Sequence, residues 1–162
     1  MKTKYLFFVI IVTLAQFLFS CTTDDECRTD KTVEVDIAFK QKSLNATTGV
    51  YSIVSLSIDS LWVQGLDNDS LIYNNKKSVT SISLPLKKFS QQTDYIFRFN
   101  DVTDTLTVLY TTNENYYLSL ECGCIAIHNI SEVVSTQHFI DSISIINPDV
   151  NNTTTTHIQI FN

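Results

Sequence analysis

Glycine and proline are scarce in this 162-residue chain, at three and two residues. So few glycines leave no room for a glycine-rich loop that cradles phosphate. They also mean that tight turns must be built from Asn and Asp, which tolerate left-handed backbone better than other side chains. Bases are few as well: 11 Lys and Arg stand against 17 Asp and Glu, a formal net charge of −6. Lys76-Lys77 and Lys87-Lys88 are isolated pairs, not a patch. Nucleic acid is therefore excluded as an expected partner, because its recognition relies on Lys and Arg neutralising phosphates. No Gly-x-Ser-x-Gly and no His-Glu-x-x-His occurs, and no acid, base and nucleophile converge in the sequence. The expectation is a protein that is not an enzyme and needs no cofactor.

A long apolar run is also missing. The longest, Tyr5 to Phe19, is broken only by Thr13 and Gln16 and falls short of the roughly 20 residues that span a bilayer. Preceded by Met1-Lys2-Thr3-Lys4, it has the layout of an export signal. Leu18-Phe19-Ser20-Cys21 then resembles the lipobox of bacterial lipoproteins, although Phe19 is bulkier than usual there. That resemblance implies a signal peptide over residues 1–20 and lipid on Cys21, with the membrane as partner through that lipid. The acidic stretch Thr22-Thr23-Asp24-Asp25-Glu26 resembles the surface-export signal of Bacteroidetes lipoproteins. With the signal removed, nine bases face all 17 acids, a net of −8.

What the sequence has in abundance is strand chemistry: Ser, Thr, Val, Ile, Tyr and Phe. Apolar residues alternate over Val33, Val35, Ile37 and Phe39, over Leu56, Ile58 and Trp62, and over Ile82, Leu84 and Leu86. They alternate again over Tyr95, Phe97 and Phe99, over Leu106, Val108 and Tyr110, and over Tyr116, Leu118, Leu120 and Cys122. Ile143 with Ile145 and Ile158 with Ile160 end the series. Turns are expected at residues 65–70, 73–77, 100–104 and 111–115, and a polar loop at 151–156. A short helical turn could fit within 131–141. The pattern predicts an all-β antiparallel β-sandwich of roughly eight to ten strands, one domain over residues 31–162 behind a tether at 21–30.

Four cysteines are present. With Cys21 assigned to lipid, Cys27, Cys122 and Cys124 remain, most simply one disulfide and one free thiol. A Cys27–Cys122 bridge would staple the tether to the sheet and contribute about 4 kcal/mol in the chain-entropy description. Cys27–Cys124 is the alternative, whereas Cys122–Cys124 is disfavoured because residues two apart on a strand rarely reach disulfide geometry. Cys122-Gly123-Cys124 could meet a soft metal with His128 or His138, but three ligands at a recognisable spacing are missing, and no metal is expected. His128, His138 and His157 read as edge or turn residues. Trp62, Tyr116 and Tyr117 are the candidate binding surface. Adjacent tyrosines on a strand face opposite sides, so at least one is expected to be exposed.

Asp59-Ser60-Leu61, Asp69-Ser70-Leu71, Asp104-Thr105-Leu106 and Asp141-Ser142-Ile143 resemble the O-glycosylation motif of exported Bacteroidetes proteins. The layout as a whole resembles a Bacteroidetes lipoprotein family known only as a domain of unknown function. The resemblance is carried by the lipobox, Asp25-Glu26-Cys27, Ser83-Leu84-Pro85-Leu86 and Asp104-Thr105-Leu106 ahead of a Tyr-containing strand. Ser119-Leu120-Glu121-Cys122-Gly123 and His157-Ile158-Gln159-Ile160 complete it. The family pattern has an aromatic after Cys-Gly, where this chain has Cys124, and that leaves the partner of Cys27 open. The resemblance implies an outer-membrane lipoprotein, on the surface or periplasmic face. An envelope protein or a glycan is the expected partner of such an anchored domain. The family carries no established activity, so the resemblance adds nothing about catalysis.

Overall fold

Alternation of apolar and polar residues drives strands whose inner faces must meet, and two sheets result. The computed structural model describes Cys27 and residues 29–47, 49–66 and 70–162. The expected signal peptide, Cys21, the acidic stretch and Asp69 lie outside the described residues. In chain order the strands are β1 (Glu34–Leu44), β2 (Tyr51–Ser55), β3 (Ile58–Gly65), β4 (Leu71–Val79), β5 (Ser81–Pro85) and β6 (Gln92–Phe99). They continue with β7 (Val102–Ser119), β8 (Gly123–Ser135), β9 (Ser142–Ile145), β10 (Asp149–Val150) and β11 (Ile158–Phe161). One sheet runs β2-β1-β11-β9, with β5 also paired to β1; the other runs β10-β8-β7-β6-β3-β4.

The inner faces are those read from the alternation. Val35, Ile37, Phe39, Ile82, Leu84, Ile158 and Ile160 from the first sheet pack with Leu61, Val63, Phe97, Phe99, Leu106, Val108 and Ile130 from the second. Aromatic rings join the layers: Phe39 meets Phe99 edge-on at 5.8 Å, and Phe99 stacks on Phe139 at 4.3 Å. These edge-on and stacked arrangements are the ones that ring quadrupoles favour.

Four expectations are corrected. Among the described residues the strands number eleven, and β2 and β4 are edge strands without an alternating burial pattern. Pairing is not wholly antiparallel, since β1 and β11 lie parallel with Ile37 beside Ile158 and Phe39 beside Ile160. Neither 73–77 nor 111–115 is a turn. Residues 73–77 lie within β4, where Leu61 pairs with Lys76 and Val63 with Tyr73, one residue more on β4 than on β3. Asn75 absorbs that bulge in left-handed backbone, φ 48°. Residues 111–115 likewise hold a bulge in β7, where the Asn115 amide donates to the Asn113 side chain at 3.1 Å. Finally, 131–141 holds no helix: β8 continues to Ser135 and an irregular segment follows.

Candidate functional site

The longest strand positions the most distinctive surface. β6 accompanies β7 only as far as Gln92 opposite Leu109, and β10 accompanies β8 only at His128 and Asn129. Beyond them β7 and β8 continue as a two-stranded ribbon, with Tyr116 opposite Ile125, Tyr117 opposite Cys124 and Ser119 opposite Gly123. Among the described residues no further strand pairs with this overhang. Alternation there no longer means burial. Tyr116 and Tyr117 are both exposed, at 42% and 58%, and Leu120 in the turn is 88% exposed. The turn is closed by Gly123 at φ 70°. The Cys122 amide, donating to Ser119 Oγ at 3.1 Å, braces it.

Cys27 is bonded to Cys122 at this tip, and Cys124 is a free, exposed thiol. The alternative partner for Cys27 is thereby set aside. Cys122 and Cys27 face one another, while Cys124, two residues on, is opposite Tyr117 on the open ribbon.

At the root of the ribbon lies a cleft of about 370 Å³, with Lys31, Lys88, Phe89, Glu114, Cys124 and His128 in its wall. The loop that carries Lys88 and Phe89 is strapped down. Tyr110 Oη donates to the Lys87 carbonyl at 2.8 Å, Thr93 Oγ1 donates to Tyr110 at 2.6 Å, and the Lys87 amide donates to Thr93 at 3.1 Å. His128 is 4% exposed, shares a 2.9 Å hydrogen bond with Thr112 and lies edge-on to the Tyr110 ring. Burial, then the nearby Lys88 charge, pushes its pKa below the ordinary 6.5, so it is neutral at pH 7. Cys124 and His128 lie four positions apart on one strand, a separation of roughly 13 Å that does not form a thiol–imidazole pair. Among the described residues no three His, Cys, Asp or Glu side chains gather as a metal site.

The candidate aromatics are not brought together. Trp62 is on the outer face of β3, beneath the Arg98 guanidinium at 5.0 Å. Arg98 pairs with Thr103 at the opposite end of β7 from Tyr116, roughly 40 Å away at a strand's rise per residue. Arg98 also lines a polar groove of about 560 Å³ with Asp59, Lys77, Asn100 and Asp101. Tyr116 and Tyr117 belong instead with Leu120 and the disulfide.

Two buried polar groups escaped sequence reasoning. Asp104 is 1% exposed and accepts from Thr136 Oγ1 at 2.7 Å and from the amides of His138, Phe139 and Ile140 at 2.9, 2.8 and 3.0 Å. The exposed His138 ring sits 2.9 Å from the same carboxylate. Burial would raise the Asp104 pKa, but these hydrogen bonds outweigh it and hold the carboxyl down at about 2. His157, fully buried, accepts the Asp36 amide at Nδ1 (2.9 Å), so its proton is on Nε2, facing Thr155 Oγ1 at 3.3 Å. Burial, outweighing the Asp36 carboxylate, keeps it neutral. Both groups are part of the architecture; their main partners are remote in sequence, so local pattern carries no signal for them.

A family model described as a family of unknown function (DUF6452) matches residues 60–162, and the chain belongs to that family. The match takes in β3 through β11 with Cys122, but not the segment that carries Cys21 and Cys27. No curated protein and no solved structure matches the chain.

Proposed function

We propose that this member of a family without assigned activity is an exported lipoprotein of the cell envelope, held to the membrane by lipid on Cys21 and acting by binding or by support, not by catalysis. The observation that carries the reading is the Cys27–Cys122 bond. Structural disulfides persist in oxidising compartments and are rare in a reducing cytosol. The basic start, the apolar run and Leu18-Phe19-Ser20-Cys21 supply a route to such a compartment. The acidic stretch behind Cys21 and the Cys122-Gly123 segment favour the outer membrane of a Bacteroidetes cell. Several acyl chains on one cysteine would hold the protein durably, at roughly 0.8 kcal/mol for each buried methylene. Cys21→Ala is the test: acyl label on the protein and its recovery with membranes are expected to vanish together. Retention of both in the variant would overturn the reading. Protease treatment of intact cells is expected to clip the domain if it faces outward.

A second reading, a glycan- or peptide-binding module serving nutrient uptake, draws on one observation. The polar groove lined by Arg98 adjoins the half-buried Trp62 ring, over which Arg98 lies, and an aromatic ring beside convergent polar groups suits a sugar. A glycan array with the protein is expected to show a signal that Trp62→Ala abolishes; a blank array rejects this reading.

A further inference from the structure

Among the exposed apolar side chains of the described residues, two groups lie far apart. Leu44, Tyr51 and Ile53 cluster where β1 turns into β2, and Tyr116, Tyr117 and Leu120 cluster on the β7–β8 overhang, with Phe89 at its root. Only the second has its surroundings set by the chain itself. Cys27 is bonded to the overhang at Cys122, and Cys21 is six residues earlier. Six residues reach at most about 20 Å fully extended. β1 carries the chain away from this end for another 11 residues, roughly 35 Å, before Leu44 is reached.

We infer that the β7–β8 ribbon is a second membrane contact, with Tyr117, Tyr116 and Leu120 seated in the headgroup region of the bilayer that holds the lipid on Cys21. The inference rests on the lipoprotein reading above. The disulfide is what gives it force: it joins the apolar tip to the tether at its far end, so the tip cannot leave the neighbourhood of the bilayer. Tyrosine is suited to that layer, its ring apolar and its hydroxyl wet, and a leucine exposed to water gains by entering it. Lys31 and Lys88 stand here against Glu114 and Glu121, and Asp24, Asp25 and Glu26 of the tether add negative charge, so the contact is made by apolar side chains and does not require anionic lipid. The docked ribbon fixes the sandwich's orientation, holding the β1–β2 end and the Arg98 groove away from the membrane.

The experiment uses the full lipidated chain in phosphatidylcholine vesicles doped with a photoreactive phospholipid whose reactive group lies at the headgroup boundary. Adducts are mapped by peptide mass spectrometry. Adducts on residues 116–122 are expected, and they are expected to be lost in Tyr117→Asp/Leu120→Asp while adducts before Cys27 persist. Both side chains are exposed, so the variant keeps its core, which an unchanged unfolding midpoint verifies. Adducts confined to residues before Cys27 in the unaltered protein overturn the membrane contact and leave the anchor standing. A protein that does not join the vesicles overturns the anchor and this inference with it. Cross-links from ribbon to ribbon between two copies, with no lipid adducts there, make a second copy the occupant and overturn the proposal.

Discussion

Asp104 shows what a single residue does in this fold. Its carboxylate gathers a hydroxyl and three consecutive amides from residues 136–140, 32 to 36 positions downstream, and so fixes the segment that carries Phe139 onto the Phe99 ring. Asp104→Ala leaves those donors without a buried acceptor and is expected to cost about 2–4 kcal/mol, read as a lower urea midpoint. The pH dependence has two stages. His128 and His157 bind protons less readily when folded than at their ordinary pKa of 6.5. The unfolded chain therefore takes up more protons than the folded one as pH drops below 6.5, and stability, full above that value, declines from there. Asp104, ordinarily 3.8 and held at about 2 when folded, adds a further loss as pH falls between those values. Urea midpoints measured from pH 8 to 2 are expected to show both stages, and Asp104→Asn to lack the lower one. A midpoint flat from pH 7 to 5 would contradict the buried neutral histidines.

At the scale of elements, the ribbon and its disulfide form one device. Opening the Cys27–Cys122 bond, by reduction or by Cys27→Ser, is expected to lower stability by about 4 kcal/mol, because the bond closes a loop 95 residues long. Gly123 sits at φ 70° with open space where a Cβ would be, so Gly123→Ala is strained only in its backbone. A loss of about 1 kcal/mol is expected in thermal unfolding, with no repacking of neighbours. The elements legible in the sequence are those with one wet and one dry face: β1, β3, β5, β6, the first half of β7 and β11. Edge strands β2 and β4 are not, since β2 is exposed throughout most of its length and the bulge in β4 breaks the alternation between Tyr73 and Val79. The bulges at Asn75 and Asn113 share their residue chemistry with turns, because Asn serves both. A hairpin turn reverses the chain, whereas a bulge adds one residue and lets the pairing continue.

For the whole molecule, the parallel pairing of the first and last strands closes the first sheet. β11 lies between β1 and β9, and Ile158 and Ile160 are core residues. Removing residues 158–162 opens that sheet at its centre and strips β9 of its partner. The truncated chain is expected to lack the cooperative thermal transition of the full protein. The length of β7 separates the candidate sites: Trp62 and the tyrosines, equal candidates as isolated aromatics, are at opposite ends of the second sheet.

The sequence by itself determined the all-β class, most of the residues of the core, and that Cys122 and Cys124 are the two possible partners for Cys27. These follow from local alternation and from chemistry that each side chain carries wherever it sits. Tertiary structure alone decided that Cys122, not Cys124, meets Cys27, that β1 and β11 run parallel, and that Asp104 is a buried hub. It also decided that Tyr116 and Tyr117 are both exposed, on an overhang. Each depends on which distant segments become neighbours, a matter set by sheet order and strand length, which local alternation does not encode.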